Sequence, residues 1–189
     1  APNTHIRGKT TIGERCEIGP NSIIESCTIG NRCRVLASVL EYAAMEDDSD
    51  IGPFSHLRKG AYVSKGAHVG NFGEIKNSTL GRGAKMGHMS YLGDATVGED
   101  VNIGAGTITC NFDGQRKHPT TIGDQAFIGS GSMLVAPLNI GARAKTGAGS
   151  VVTHDLPEDT LAYGVPARPK KPSNPQGNDT EAEDEDRTR

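Results

Sequence analysis

Tryptophan is absent, and all aromatics together make up 4% of the 189 residues. A core assembled from large rings is thereby excluded, and whatever is buried must be aliphatic or small. No apolar stretch approaches the roughly 20 residues that cross a bilayer. The first twenty residues are polar and carry no signal-peptide pattern. The four cysteines, Cys16, Cys27, Cys33 and Cys110, form no CxxC pair and are too few for a disulfide framework. They suit a reducing, cytoplasmic setting. Charge of neither sign dominates: 20 Lys and Arg stand against 23 Asp and Glu, a balance that argues against a dedicated nucleic-acid binder. The length fits one domain, or one domain with a tail. The chain starts at Ala1 without methionine, as expected of a processed or excised piece of something longer.

Glycine, in contrast, is abundant: 25 of 189 residues, about 13% against an average near 7%. It follows no Gly-X-Y period, which excludes collagen. It follows a period of six instead. Aliphatic residues recur at Ile6, Ile12 and Ile18, then at Ile51, Leu57, Val63, Val69 and Ile75. The series continues through Leu80, Met86, Leu92, Val97 and Ile103 with occasional steps of five, and resumes at Ile122, Ile128, Leu134 and Ile140. Gly follows many of them, as in Ile12-Gly13, Ile18-Gly19, Val69-Gly70, Ile103-Gly104 and Ile128-Gly129. A small residue stands four positions after, as in Cys16, Ser22, Ala61, Ala67, Ala126 and Ala144.

Six is neither the helical 3.6 nor a plain alternation of two. It suits a short strand followed by a tight corner. Three such units close a triangular coil, and the next coil stacks on it at strand spacing, ~4.8 Å. The aliphatic fills the interior, the small residue packs where no bulk fits, and Gly is expected to supply the corner dihedrals. The pattern predicts an all-β chain: a parallel β-helix of hexapeptide repeats with triangular coils, about eight of them between Ile6 and Val152. Cys16 and Cys33 fall in the small inward slot, a packing role. Two regions break the rhythm. Residues 107–121, with ITCNFDGQRKHPT at their centre, are polar and turn-rich, and are expected to project as a loop, where function tends to sit. Residues 170–189 are rich in Pro, Asn and acids, and read as a disordered acidic tail after a β-helical domain over 1–169.

With the interior filled, chemistry belongs on outward positions. Arg58 and Lys76 each follow an inward aliphatic and lie 18 apart, so they stack on one outer face. Two stacked cations suit an intervening phosphate; solvated surface charges would give the same pattern. His88, two after the inward Met86, also faces out. Imidazole titrates near neutral pH and serves as a general base, although a lone exposed histidine is compatible with no role. A zinc site of the β-helical carbonic anhydrase kind would need a His-x4-His pair. The histidines at 5, 56, 68, 88, 118 and 154 include no two at that spacing. No metal is expected.

Three segments are longer and more specific than a hexapeptide repeat requires: GNFGEIK, GHMSYLGD and NIGAGTITCNFDG. With the surrounding run over residues 52–124, they resemble the acetyltransferase domain of the bifunctional N-acetylglucosamine-1-phosphate uridyltransferase/glucosamine-1-phosphate N-acetyltransferase. The resemblance extends from about residue 3 to 168. It implies that the β-helix is left-handed, that it assembles as a homotrimer with sites between subunits, and that it moves acetyl from acetyl-CoA to glucosamine 1-phosphate. The product would feed UDP-N-acetylglucosamine synthesis for cell-wall and lipopolysaccharide precursors. No nucleic-acid or membrane partner is implied.

Carried over by motif, His88 is the general base, Glu74 orients or polarises the site, and Asn111 meets the acetyl group and the developing oxyanion. Arg58 and Lys76 bind phosphate, and Tyr91 and Asn102 contact the sugar phosphate. Acetyl-CoA falls to Ala105, Asn111, Phe112, Lys117, Ser130 and Ala148. Spacing supports part of this, because Ser130 and Ala148 are 18 apart and Ala105 is 17 beyond His88. Phe112 stands where many relatives have Tyr. Val165 stands where some have Arg, and Arg168 is the substitute candidate for a CoA phosphate. The family's uridyltransferase domain, with its Gly-rich nucleotide loop, is absent from this chain. The other readings are a hexapeptide acyltransferase with a different acceptor and a non-catalytic solenoid; the latter predicts a sustained outer ladder of one polar residue type, which is missing.

Overall fold

The computed structural model describes residues 1–170, so the acid-rich stretch beyond lies outside the described residues. All regular elements there are short strands, two to four residues each, with no helix among them. They line up in three sheets of 9, 8 and 10 strands, each strand paired with the one three elements away in the chain except among the last strands of the 10-stranded sheet. Pairing is parallel throughout, except for a terminal antiparallel pair of Leu161–Tyr163 with Arg168–Lys170. The architecture is a left-handed parallel β-helix of triangular coils. The first sheet has nine strands, and the eight steps between them from Ile6 to Val152 match the spacing argument.

Within residues 18–51 the period shortens. Ile24, Ile29, Val35, Leu40 and Met45 are all 3% exposed or less, at steps of five and six. The inward series behaves as its spacing demands: Leu57, Val63, Val69, Ile75, Leu80, Met86, Leu92, Ile128 and Leu134 are fully buried. Each such side chain contributes about 1.5–3 kcal/mol when removed from water. The small slot holds too, with Ala61, Ala67, Ala126, Ala144 and Cys33 buried. Cys16 is half-buried and packs against the core. Ile6 departs from the pattern at 52% exposure, because its coil has a neighbour on one side only.

The role expected of the repeat glycines needs correction. Gly70, Gly104 and Gly129 do not have left-handed backbones. Their constraint is close approach: a Cβ on Gly104 would lie 2.5 Å from Ser130 N, and one on Gly129 would lie 2.6 Å from Thr146 O. The left-handed corners are shared between other glycines, such as Gly66, Gly106 and Gly131, and residues with side chains, among them Phe54 at φ 60° and Phe72 at φ 57°.

Between Ile103 and Ile122 a coil is present but disguised. Ile108–Cys110 is a strand of the first sheet, and Thr109 fills the inward slot beneath Leu134. Its hydroxyl accepts a hydrogen bond from the Gly93 N–H at 2.7 Å, so a polar atom sits satisfied inside the column. The chain then leaves the coil over residues 111–119 and re-enters the second sheet at Thr120–Ile122. There Val97 pairs with Ile122, 25 residues on, against 17 for the preceding pair Leu80 with Val97.

Candidate active site

Two groups of the expected residues form along the first-sheet strands. The first runs along the corner between the third and first sheets. His88 ends the strand Lys85–His88 and pairs with Asn71. Continuing the registers that pair Met86 with Ile103 and Ile103 with Ile128 places Ala105, Ser130 and Ala148 in the same column. Corner N–H groups confirm it: Gly106 donates to the His88 carbonyl at 3.4 Å, Gly131 to Ala105 at 2.7 Å and Gly149 to Ser130 at 2.8 Å. His88 is exposed, and the strip beyond it consists of small residues with open backbone. Asn102 lies half-buried on the adjoining third-sheet face, between Lys85 and Phe127.

On the other side of His88 the same corner carries Phe54, Phe72 and Met89, exposed at 63%, 57% and 61%. The two rings stack at 5.7 Å. This apolar ridge was not anticipated. Its only signal in the sequence is that large residues occupy a corner position where later coils have Gly106, Gly131 and Gly149.

The second group begins at the starts of the first-sheet strands, with Glu74 and Tyr91, and reaches their far ends at Lys76 and Asp94. Glu74 and Tyr91 are in register on the first sheet. Arg58 Nη1 donates to Glu74 Oε1 at 2.8 Å, so the carboxylate offsets Arg58 directly. Lys76 faces a different neighbour: Lys117, with Arg58 behind it, holds the Lys76 ammonium below its ordinary pKa, since like charges disfavour the charged form. The pair left with net repulsion is thus Lys76 with Lys117, offset only in part by Asp94, a setting that an anionic ligand relieves. Asn111 is 7% exposed, and Asn111 Nδ2 donates to Asp94 Oδ2 at 2.5 Å. The Tyr91 hydroxyl converges on the same spot: a Cβ on Gly93 would meet both it and Asn111 Nδ2. Asp94 was not singled out from the sequence, although it closes the GHMSYLGD segment.

Phe112 and Lys117 bridge across the base of the 111–119 excursion, and Phe112 is 60% exposed. Asp113 organises the turn between them, accepting from the N–H groups of Gln115 and Arg116, both at 2.8 Å, and from His118 Nε2 at 2.6 Å. These donors hold the Asp113 carboxyl at a pKa of about 2. A depressed folded-state pKa means that the turn's support is complete above the ordinary carboxylate value near 4. It is lost as pH falls from there through about 2. Asp113→Asn is expected to raise amide exchange across 111–119 at pH 7 and to leave it unchanged near pH 2, read by hydrogen-exchange mass spectrometry. Equal exchange in both proteins at pH 7 would remove Asp113 as the organiser.

Arg168 sits exposed opposite Tyr163 in the terminal antiparallel pair, whose strand Leu161–Tyr163 lies on the coil that carries Ala148. Among the described residues, no group of three or more His, Cys, Asp or Glu is placed to hold a metal. No described helix is long and apolar enough to cross a membrane.

The fold and its repeat define a parallel β-helix built of hexapeptide repeats. The family model "Hexapeptide repeat of succinyl-transferase" matches residues 9–39 and 119–154. In sequence the chain is most informatively similar to bifunctional protein GlmU. The Thermotoga petrophila protein is 54% identical over 163 residues, covering 86% of this chain. The chain spans only 37% of that relative's length. Among solved structures, LpxA from Acinetobacter baumannii aligns with a TM-score of 0.65 at 16% identity, over 89% of this chain and 72% of that one, which is likeness of fold. A histidine-to-alanine mutant of GDP-perosamine N-acetyl transferase from Caulobacter crescentus, in complex with CoA and GDP-perosamine, aligns at 0.52 and 26% identity, over 68% and 56%.

Proposed function

We propose that the chain is the acetyl-CoA-dependent glucosamine-1-phosphate N-acetyltransferase part of a GlmU-type protein. The observation that carries this reading is the corner column. An exposed imidazole opens onto a strip of small residues that runs up the helix from His88 through Ala105 and Ser130 to Ala148. A narrow pantetheine arm needs such a strip, with no bulky side chains in its path. The N-acetyl transferase neighbour, solved with CoA, supports the choice of cofactor.

In this mechanism the amine of glucosamine 1-phosphate attacks the thioester carbonyl of acetyl-CoA. His88 takes the proton that the nitrogen sheds, the C–N bond forms, and the tetrahedral oxyanion is met by Asn111. Collapse breaks the C–S bond, and the CoA sulfur leaves as thiolate, to be protonated from imidazolium. Lys76 and Lys117, with Arg58 alongside, hold the sugar phosphate or a CoA phosphate, and Tyr91 contacts the sugar. Arg168 and Phe112 stay as further candidates for CoA contact. The reaction would run in the cytoplasm and supply N-acetylglucosamine 1-phosphate for UDP-N-acetylglucosamine.

One chain holds His88 at the starts of the first-sheet strands and Lys76, Asn111 and Lys117 at or beyond their far ends. Those strands have three residues, as in Tyr91–Gly93, or about 10 Å at ~3.3 Å per residue. A homotrimer, in which the excursion of one subunit meets the His88 corner of the next, brings them into one cleft. The Phe54–Phe72–Met89 ridge offers that assembly an apolar seam.

Release of free thiol from acetyl-CoA in the presence of glucosamine 1-phosphate tests the reading, with glucosamine 6-phosphate as the comparison. Lys76→Ala is expected to lower kcat/KM for glucosamine 1-phosphate by roughly 10- to 100-fold, mainly through KM, as for loss of a charge-assisted contact. An unchanged KM would free Lys76 from the acceptor site. No thiol release with either sugar phosphate would overturn the acceptor assignment.

A further inference from the structure

Asp94 occupies the corner after the strand Tyr91–Gly93 in a left-handed conformation, φ 51°. Its side chain is only 18% exposed, and its bonds reach three successive coils. From the coil below, Asn77 Nδ2 donates to Oδ1 at 2.6 Å. From the coil above, Asn111 Nδ2 donates to Oδ2 at 2.5 Å. Lys117, in the excursion, stands 3.9 Å from Oδ2. The backbone joins in: Asp94 N–H donates to the Lys76 carbonyl, and its own carbonyl accepts from Thr120 N–H, both at 3.1 Å. The excursion is therefore tied to the helix body at its start through Asn111, near its end through Lys117, and at re-entry through Thr120, all on one residue.

The chemistry of the pair fixes more than position. A carboxylate accepts hydrogen bonds and donates none, so the amide nitrogen of Asn111 must face Asp94 and its oxygen must face away. The plane of the amide is set, with one N–H used by Asp94 and the other pointing elsewhere. An oxyanion donor works only when its geometry is held before charge develops.

We propose that Asp94 is the positioning residue of the transfer site, orienting Asn111 toward the reacting acetyl group and holding Lys117 beside Lys76. The proposal rests on the acetyltransferase reading above. It names a carboxylate in the GHMSYLGD segment whose effect on the reaction passes through Asn111 rather than through contact with substrate.

Charge gives a second signature. Lys76 faces Lys117 from the excursion and Arg58 from the first sheet, with Glu74 bound to Arg58. Asp94 is the carboxylate that acts against that repulsion and raises the Lys76 pKa. Its loss should let Lys76 discharge at lower pH.

The experiment is a mutant cycle on the full chain, read as thiol release from acetyl-CoA with glucosamine 1-phosphate. Asp94→Asn keeps the shape, removes the charge, and turns an NH2 group toward the NH2 of Asn77 or Asn111. It is expected to lower kcat about 100-fold, the scale of a misplacement near 1 Å, and to move the alkaline limb of kcat/KM to lower pH. In an Asn111→Ala background the same change is expected to cost less than about threefold, since its target is gone. Asn77→Ala, which removes a partner but leaves the Asn111 bond, is expected to stay within about threefold of the unmodified chain. Should Asp94→Asn fail to fold, Asp94→Glu keeps the charge and displaces the carboxylate by one methylene. It is expected to lower kcat while leaving the alkaline limb in place. An equal loss from Asp94→Asn with and without Asn111, or from Asp94→Glu where it stands in, would overturn the proposal and leave the enzyme reading intact. An unmodified chain that releases no thiol would overturn both.

Discussion

Replacing His88 with alanine is expected to lower kcat for thiol release roughly 10²–10⁴-fold, the range of a lost general base, with KM for acetyl-CoA little changed. The asymmetry follows from where His88 sits. It ends the strand Lys85–His88 with its ring exposed and its neighbours in the column small. The ring buries no core surface, so truncation should leave the stacking of coils unaltered. The backbone carbonyl of His88 accepts from Gly106 N–H and from the Ser90 hydroxyl at 2.9 Å. Both contacts survive in alanine. What is lost is a proton acceptor beside the nitrogen that attacks the thioester. The uncatalysed amine must then release its proton to water, and only the transition state feels the difference. Single-turnover rates with preloaded acetyl-CoA separate chemistry from binding. A variant whose single-turnover rate stays within threefold of the unmodified chain would remove His88 as the base and shift the search to the Lys76–Lys117 group. A variant with a shifted thermal midpoint would point to a structural role instead.

The period of six carried the fold because it is a packing constraint that each coil must meet on its own. Leu57, Ile75 and Leu92 are buried for the same reason, one coil after another, and the spacing exposes that reason directly. The reading weakened where another side chain met the constraint. Thr109 fills an aliphatic slot with its hydroxyl bonded to Gly93, and a hydropathy pattern cannot register that, so the strand Ile108–Cys110 was read as part of the projecting loop. The stretch from Ile24 to Met45 was passed over because corners there use five residues as readily as six. For the site, spacing was enough to stack Ala105 on His88 and Ala148 on Ser130, since stacking is a statement about register, but the 25-residue step that joins the two pairs into one column crosses the excursion and was not legible. It could not show Asp94 bonded to Asn111 or Lys76 opposed to Lys117. Those contacts depend on how the 111–119 excursion folds back over the corner, and that path has no period. The Arg58–Glu74 pair was within reach. Glu74 lies 16 residues from Arg58, and two residues fewer than a full coil places it diagonally above, within hydrogen-bonding range.

Gly70→Ala is expected to destabilise the chain by about 3 kcal/mol or more, the upper range for overpacking a tight interior. For a chain of this size that is roughly 6–12 °C in thermal midpoint. Gly70 lies in the strand His68–Asn71, fully covered, with the strand Lys85–His88 directly above. A Cβ there would overlap the carbonyl oxygen of Gly87 and lie 2.7 Å from its carbonyl carbon. These are backbone atoms of the next coil. They are held by registers on both sides, Val69 with Met86 below and Met86 with Ile103 above. No rotamer change relieves the overlap, and moving the backbone opens the stack above it. Gly87 is the internal control. It lies one coil up in the same strand position, and a Cβ on it would meet nothing within 4 Å. Its backbone is not left-handed. Gly87→Ala is therefore expected to be neutral or to stabilise by up to about 1 kcal/mol, by restricting the unfolded chain. Melting curves of the two variants by circular dichroism decide the matter. If Gly70→Ala melts within 2 °C of the unmodified chain, close approach is not what the repeat glycines provide. If both variants melt low, the constraint lies in glycine's backbone freedom, as the period of six alone suggested.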